Sequence, residues 1–169
     1  MITEKLRSSL TILFIGFNPS LSSHARGYNY AGRANRFYKI LYLSGLTDRL
    51  YSPEESVSLP DDYGFGFTNV VSRPTVAAQE VSWAEYSAGA EILRRKLELY
   101  RPRVACYVGK GVYQACIGKR LSVPWGFAVQ NIVPGVRDFI APATSGLVRM
   151  RIEEQTAIFR MLYDSIANP

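Results

Sequence analysis

Histidine occurs once in this chain, at His24, and cysteine twice, at Cys106 and Cys116. Two thiols fall short of the four thiolates of a typical iron–sulfur cluster or Cys-only zinc site, and there is no histidine pair, so no metal and no cofactor are expected. Cys106 lies in an apolar run and Cys116 in a helical pattern, which reads as buried free thiols in a reducing cytoplasm. Long apolar runs are missing as well: none reaches the roughly 18 residues of a membrane span. Met1–Leu10 carries charges early and has no apolar stretch ending in small residues, so neither an export signal nor a membrane partner is expected. No repeat, low-complexity tract or linker divides the 169 residues, which read as one domain over 1–169.

Acid is missing from two long stretches. From Lys5 to Thr47 there is no Asp or Glu, while Lys5, Arg7, Arg26, Arg33, Arg36 and Lys39 are present. Leu99–Arg137 is also acid-free, with Arg101, Arg103, Lys110, Lys119, Arg120 and Arg137. The net charge of +6 is therefore segregated rather than spread. Segregation of this kind suits a polyanionic partner, because each phosphate contact releases counterions; a merely solvated basic surface is the other reading.

Strand and helix patterns alternate. Leu10–Ile15 reads as a buried strand, Phe65–Val71 as a second and Val104–Val108 as a third; Phe127–Val133 and the short Phe139–Ala141 complete the set. Asn35–Ser44 reads as a helix with Phe37, Ile40, Leu41 and Ser44 along one side and Gly45 closing it. Leu50–Tyr63 is a surface connection or a short irregular helix. Ser82-Trp83-Ala84-Glu85 is a capping box that opens a long helix to Tyr100. Further helices run from Gly109-Lys110-Gly111 to Gly118 and from Arg151 to Ala167. The alternation predicts an α/β fold: a mainly parallel central sheet of four to five strands with helices on both faces.

In such a sheet the strand ends at Gly16–Ser20, Val108–Gly111 and Ala141–Arg149 share one edge, where ligands sit. Gly109-Lys110-Gly111 either cradles a phosphate at a helix start or is a tight turn; it lacks Walker spacing. Ser145, His24 and the scattered Asp residues form no nucleophile motif. Asn18-Pro19 by itself is a common turn dipeptide, and Tyr28 and Tyr30 can serve equally as packing aromatics.

Taken in order, however, the motifs form a pattern. Gly16-Phe17-Asn18-Pro19-Ser20-Leu21, Gly27-x-x-Tyr30-x-x-x-x-Asn35-Arg36-Phe37 and Ser44-Gly45-Leu46 resemble the mismatch-specific uracil/thymine DNA glycosylases. The likeness runs on through Gly64–Thr75 and Val108-Gly109-Lys110 to Thr144-Ser145-Gly146-Leu147-Val148-Arg149, nearly the whole chain. Uracil glycosylases with Asp in the first motif are less similar, since position 18 is Asn.

The resemblance implies a monofunctional hydrolase of base excision repair, monomeric and nucleoid-associated. It would flip uracil, or thymine or a modified pyrimidine, out of mismatched double-stranded DNA. Asn18 matches the residue that positions the attacking water. Gly16, Phe17, Pro19, Ser20, Ser23, Tyr30 and Asn69 fall at base-binding positions, with Tyr30 stacking on the base. Backbone N–H groups near Gly16–Phe17 and Ser20 would stabilise the departing base anion. Lys110, Ser145, Gly146, Leu147 and Arg149 fall at DNA-binding positions, with Leu147 as the wedge that fills the vacated space; a loop leucine tucked into the core is the other reading of Leu147. Three departures stand out: Ser20 where the family usually has Gly, Ala143 where bacterial members commonly have Asn, and Asn69 where some have Lys. Hypoxanthine or alkylated-base excision, and lesion binding without catalysis, are the alternatives.

Overall fold

The computed structural model describes residues 4–168; residues 1–3 and 169, and with them the start of the N-terminal stretch read above, lie outside that description. The strands are β1 (Ile12–Gly16), β2 (Phe65–Asn69), β3 (Val104–Val108), β4 (Gly126–Phe127) and β5 (Arg137–Ala141), in the sheet order β2-β1-β3-β5-β4. β1 pairs in parallel with β2 and β3, and β3 with β5, whereas β4 runs antiparallel to β5. Helices α1 (Leu21–Arg26), α2 (Phe37–Leu43), α3 (Leu59–Tyr63), α4 (Trp83–Tyr100), α5 (Lys110–Ile117) and α6 (Ile152–Ala167) connect and cover them. The expected α/β class, mainly parallel sheet and two helical layers are what forms.

Alternation along the strands sorts the core into two layers. Ile12, Phe14, Val104, Cys106 and Phe139 face α2, α3 and α6, packing against Phe37, Ile40, Leu59, Phe159 and Leu162. Leu13, Ile15, Ala105, Tyr107 and Ile140 face α4 and α5, packing against Leu93, Leu97, Val112 and Ala115. Each Val, Leu, Ile or Phe among them contributes roughly 1.5–3 kcal/mol of burial free energy. Because both faces are covered, the central strands are apolar at every position rather than alternating.

The strand read over Phe127–Val133 is confined to Gly126–Phe127. The cause is Asp138, whose carboxylate accepts from Ile132 N–H at 2.6 Å and whose carbonyl accepts from Ala128 N–H at 2.9 Å. In return Asn131 Oδ1 accepts from Asp138 N–H at 2.9 Å, so the segment curls around one buried acid instead of extending the sheet. Helix α1, a segment to which the sequence pattern assigns no element, is delimited by Ser20, whose hydroxyl accepts from Ser23 N–H, and by Gly27 in the left-handed region at φ 79°.

Sheet order decides where a crevice opens. From β1 the chain passes to β2 on one side, then crosses to β3 on the other, so the loops after β1 and β3 diverge. A topological switch point at their carboxyl ends is where an open α/β sheet places its ligand.

Candidate functional site

At that switch point lies a cleft of about 470 Å³, walled by Gly16–Ser20, Tyr30, Asn69, Thr75–Gln79 and the Ala143–Val148 loop. Among the described residues its lining holds no Asp, Glu or His. General base chemistry therefore has no carboxylate or imidazole to draw on in the cleft.

Asn18 stands at the turn after β1, and its amide orientation is set twice over. Nδ2 donates to the Arg73 carbonyl at 2.9 Å, and a carbonyl can only accept. Nδ2 also donates to Thr75 Oγ1 at 2.7 Å, while that hydroxyl donates its own single proton to the Ala77 carbonyl at 2.8 Å. Oδ1 is thereby the atom left to accept, and it takes part in no hydrogen bond with the described residues. The Arg73 backbone is itself braced: its guanidinium spans both Glu85 carboxylate oxygens at 2.8 and 3.2 Å. That contact pulls the Glu85 pKa down to about 2.

Tyr30 adopts φ 54°, a left-handed conformation that is uncommon for a side chain of this size. Its two flanking peptides are held by neighbours. Tyr38 hydroxyl donates to the Asn29 carbonyl at 2.6 Å, and Ala31 N–H donates to Ser23 Oγ at 3.0 Å. Burial raises the Tyr38 pKa to about 12, which keeps it a donor. One face of the Tyr30 ring stacks on Phe37 with centroids 3.9 Å apart and planes 14° off parallel. Burial also pushes the Tyr30 phenol well above its ordinary pKa.

Asn69 closes the end of β2 opposite Gly16. A Cβ added to Gly16 would stand 2.7 Å from Asn69 Oδ1 and 3.5 Å from the Tyr30 hydroxyl, so glycine is what lets these side chains close over the strand end. Phe17 turns its ring away, against Tyr86 and the backbone of Gly111, and offers the cleft mainly its backbone. The N–H groups of Phe17 and Ser20 donate to no acceptor among the described residues. Ser20 has φ −70°, which any residue adopts; the departure from glycine leaves the turn unstrained and supplies the cap of α1. Pro19 lines the cleft, and its carbonyl accepts from Thr75 N–H at 3.2 Å. Ser23 lines the cleft too, but its hydroxyl is engaged by Ala31.

The Ala143–Val148 loop forms the opposite rim. Leu147 is 93% exposed, so the core reading of this leucine does not hold. Thr144 Oγ1 donates to Asn35 Oδ1 at 2.8 Å, and Arg36 N–H to the Thr144 carbonyl at 2.9 Å. Gln155, fully buried, joins the two loops by donating to the Ala143 carbonyl and accepting from Arg36. Gly146 packs so closely that a Cβ would stand 2.4 Å from that of Ala34. Ser145 lines the cleft and Arg149 is exposed just beyond it. Lys110 is not brought to the cleft: its Nζ sits 4.2 Å over the Trp125 ring.

A comparison of the sequence with protein-family models now bears on this cleft: the model of the uracil DNA glycosylase superfamily matches residues 4–167. The chain belongs to the uracil DNA glycosylase superfamily. Members are DNA glycosylases, hydrolases of DNA repair whose partner is DNA. In this glycosylase the cleft brings together Asn18, Tyr30, Asn69, Ser145 and Leu147 from four separate segments. Thr75 is the site residue that the sequence reading passed over. Arg73-Pro74-Thr75 lies within the family-like run Gly64–Thr75, but no role attaches to Thr75 there, because its bond to Asn18 spans 57 positions.

Proposed function

We propose that this superfamily member is a mismatch-specific uracil DNA glycosylase, hydrolysing the C1′–N1 bond of uracil in G·U-mismatched duplex DNA without metal or cofactor. The observation that carries the reading is Asn18: an amide locked with Oδ1 free, in a cleft whose described lining has no carboxylate or imidazole.

The mechanism follows from the groups around it. Exposed Leu147 enters the duplex as the base turns out, at a cost of a few kcal/mol that is least where the pair is mismatched. The flipped base lies against Tyr30, whose strained backbone and Phe37 support fix the ring. Asn69 offers one donor and one acceptor, matching O4 and N3–H of uracil. Asn18 Oδ1 accepts a hydrogen bond from water and aims it at C1′. Electrons of the breaking bond go to the base, and the N–H groups of Phe17 and Ser20 meet the anion that forms. The proton that water loses on joining C1′ goes through solvent to that anion, giving neutral uracil.

An amide takes no proton, so Asn18 contributes orientation alone and forgoes the ~10²–10⁴-fold of a general base. Turnover is accordingly slow and governed by the leaving group, with uracil departing faster than thymine or cytosine. The test uses end-labelled duplexes carrying one G·U, A·U, G·T or inosine site, treated with alkali after incubation. Strand breaks chiefly at G·U support the reading, and breaks at inosine alone replace uracil with hypoxanthine. Tight mismatch binding without breaks makes the protein a lesion binder.

A further inference from the structure

Next to the cleft, on the α4/α5 side of the sheet, lies a second recess of about 490 Å³. Phe17, Ala78 and Gln79 line both, so the two adjoin. The recess is lined further by Trp83 and Tyr86 of α4, by Gly111, Gln114 and Ala115 of α5, and by Arg120.

Two features mark it as more than a packing defect. Trp83 is 50% exposed although it stands on rigid backbone. Ser82 caps Glu85 N–H at 3.2 Å while the Glu85 carboxylate accepts from Ser82 N–H at 2.9 Å, clamping the turn that carries the indole. Arg120 is exposed and forms no salt bridge among the described residues; Lys119 beside it is likewise unpaired. They belong to the acid-free stretch Leu99–Arg137, and Glu85, the acid nearest Trp83 on α4, is already neutralised by Arg73.

A flat aromatic followed by an unneutralised guanidinium fits one nucleotide: a base stacks on the ring and a phosphate meets the charge. We propose that the Trp83–Arg120 groove is a second nucleotide site. It holds an unpaired nucleotide of the strand whose flipped base occupies the cleft, freed where the duplex opens beside the mismatch. The proposal rests on the DNA reading above but not on which base is excised.

Trp83 reports on it directly. The chain has two tryptophans, so Trp125→Phe leaves Trp83 as the sole indole. Titration of that variant with a single-stranded oligothymidylate free of uracil is expected to quench its fluorescence, with weakening as salt rises. In the otherwise unaltered chain, Trp83→Ala is expected to lower affinity for the same oligonucleotide about tenfold or more, the loss typical of one base–aromatic stack. Trp83→Phe restores most of it, and Arg120→Glu weakens binding while flattening the salt dependence. Thermal melts establish that each variant is folded. No quenching, with Trp83→Ala and Arg120→Glu binding as the unaltered chain does, overturns the proposal. Uracil excision from a G·U duplex by the unaltered chain is scored separately. Excision without quenching sinks the groove alone, and quenching without excision sinks the glycosylase reading alone.

Discussion

Thr75→Val is the sharpest probe of how Asn18 works. Valine keeps the shape of threonine and removes only the hydroxyl that accepts from Asn18 Nδ2 at 2.7 Å. The backbone at 75 is tied independently, its N–H to Pro19 and its carbonyl to Leu21 N–H, so the loop stays in place. The Ala77 carbonyl that loses a donor belongs to an exposed residue and is free to find water. What changes is the amide, left with Arg73 as its one anchor. A neutral hydrogen bond is worth about 1 kcal/mol net, and ~1.4 kcal/mol is tenfold in rate, so kcat should fall about fivefold. Affinity for an uncleavable duplex should hold within about twofold, because Thr75 meets DNA only through Asn18 in this account. Thr75→Ser should restore the rate.

Single-turnover excision in Asn18→Ala, which itself should slow excision to a residual rate that only long incubations measure while DNA binding stays intact, completes a double-mutant cycle. On that background Thr75→Val should cost nothing further. An equal loss with and without Asn18, or no loss from Thr75→Val alone, would refute the claim that the hydroxyl acts by orienting the amide.

Three other perturbations test separate parts of the site. Leu147→Ala should leave the melting temperature unchanged, since the side chain is 93% exposed, yet slow excision from duplex DNA much more than from single strands. Comparable slowing on both substrates would argue against a wedge. Gly16→Ala drives a methyl to within 2.7 Å of Asn69 Oδ1; excision should drop more than tenfold, and crystals of the variant should show Asn69 displaced. Asp138 is raised to about 6 by burial, against hydrogen bonds from Ile132 and Tyr107 that oppose the shift. The folded state therefore binds more protons than the unfolded between pH ~4 and ~6, so stability should decline across that window by at most about 3 kcal/mol and level off above it. Asp138→Asn should flatten the decline, as urea titrations at pH 4, 5, 6 and 7 would reveal.

Local signals were legible where one segment suffices to make the structure. Ser82 and Glu85 cap α4 as the spacing predicts, and β3 spans the five residues read for it. Helix α1 carried comparable signals, a serine cap and a closing glycine, but six residues with little apolar periodicity hid it. Beyond such segments, legibility fails for a physical reason. Asp138 captures the Ala128–Ile132 backbone and cancels a strand that propensity favours. Thr75 reaches Asn18, and Gln155 reaches Arg36, across separations that no local pattern encodes. The order of motifs indicated which residues share the cleft, while the partners that orient them emerged only from folding.

Charge shows the same division between local and assembled properties. The acids cancel basic neighbours on flanks of the fold: Asp61 with Arg7, Glu54 with Arg26, Glu55 with Arg49, Glu91 and Glu98 with Arg94, Glu4 with Lys96. Exposed pairs of this kind add little stability. Their effect is to remove positive charge from those flanks, and the surplus falls on cations with no acid partner among the described residues, Arg33, Lys39, Arg103, Lys119, Arg120 and Arg149 among them. Arg33 borders Ala34, which packs on Gly146, and Arg149 lies two residues after Leu147, so two of these residues stand on backbone beside the exposed leucine. In the proposed mechanism these charges would draw the leucine to a phosphate backbone before its side chain displaces a base. Electrostatics would then supply the approach, and a cleft with no carboxylate among its described lining would ask of Asn18 only that it hold the water.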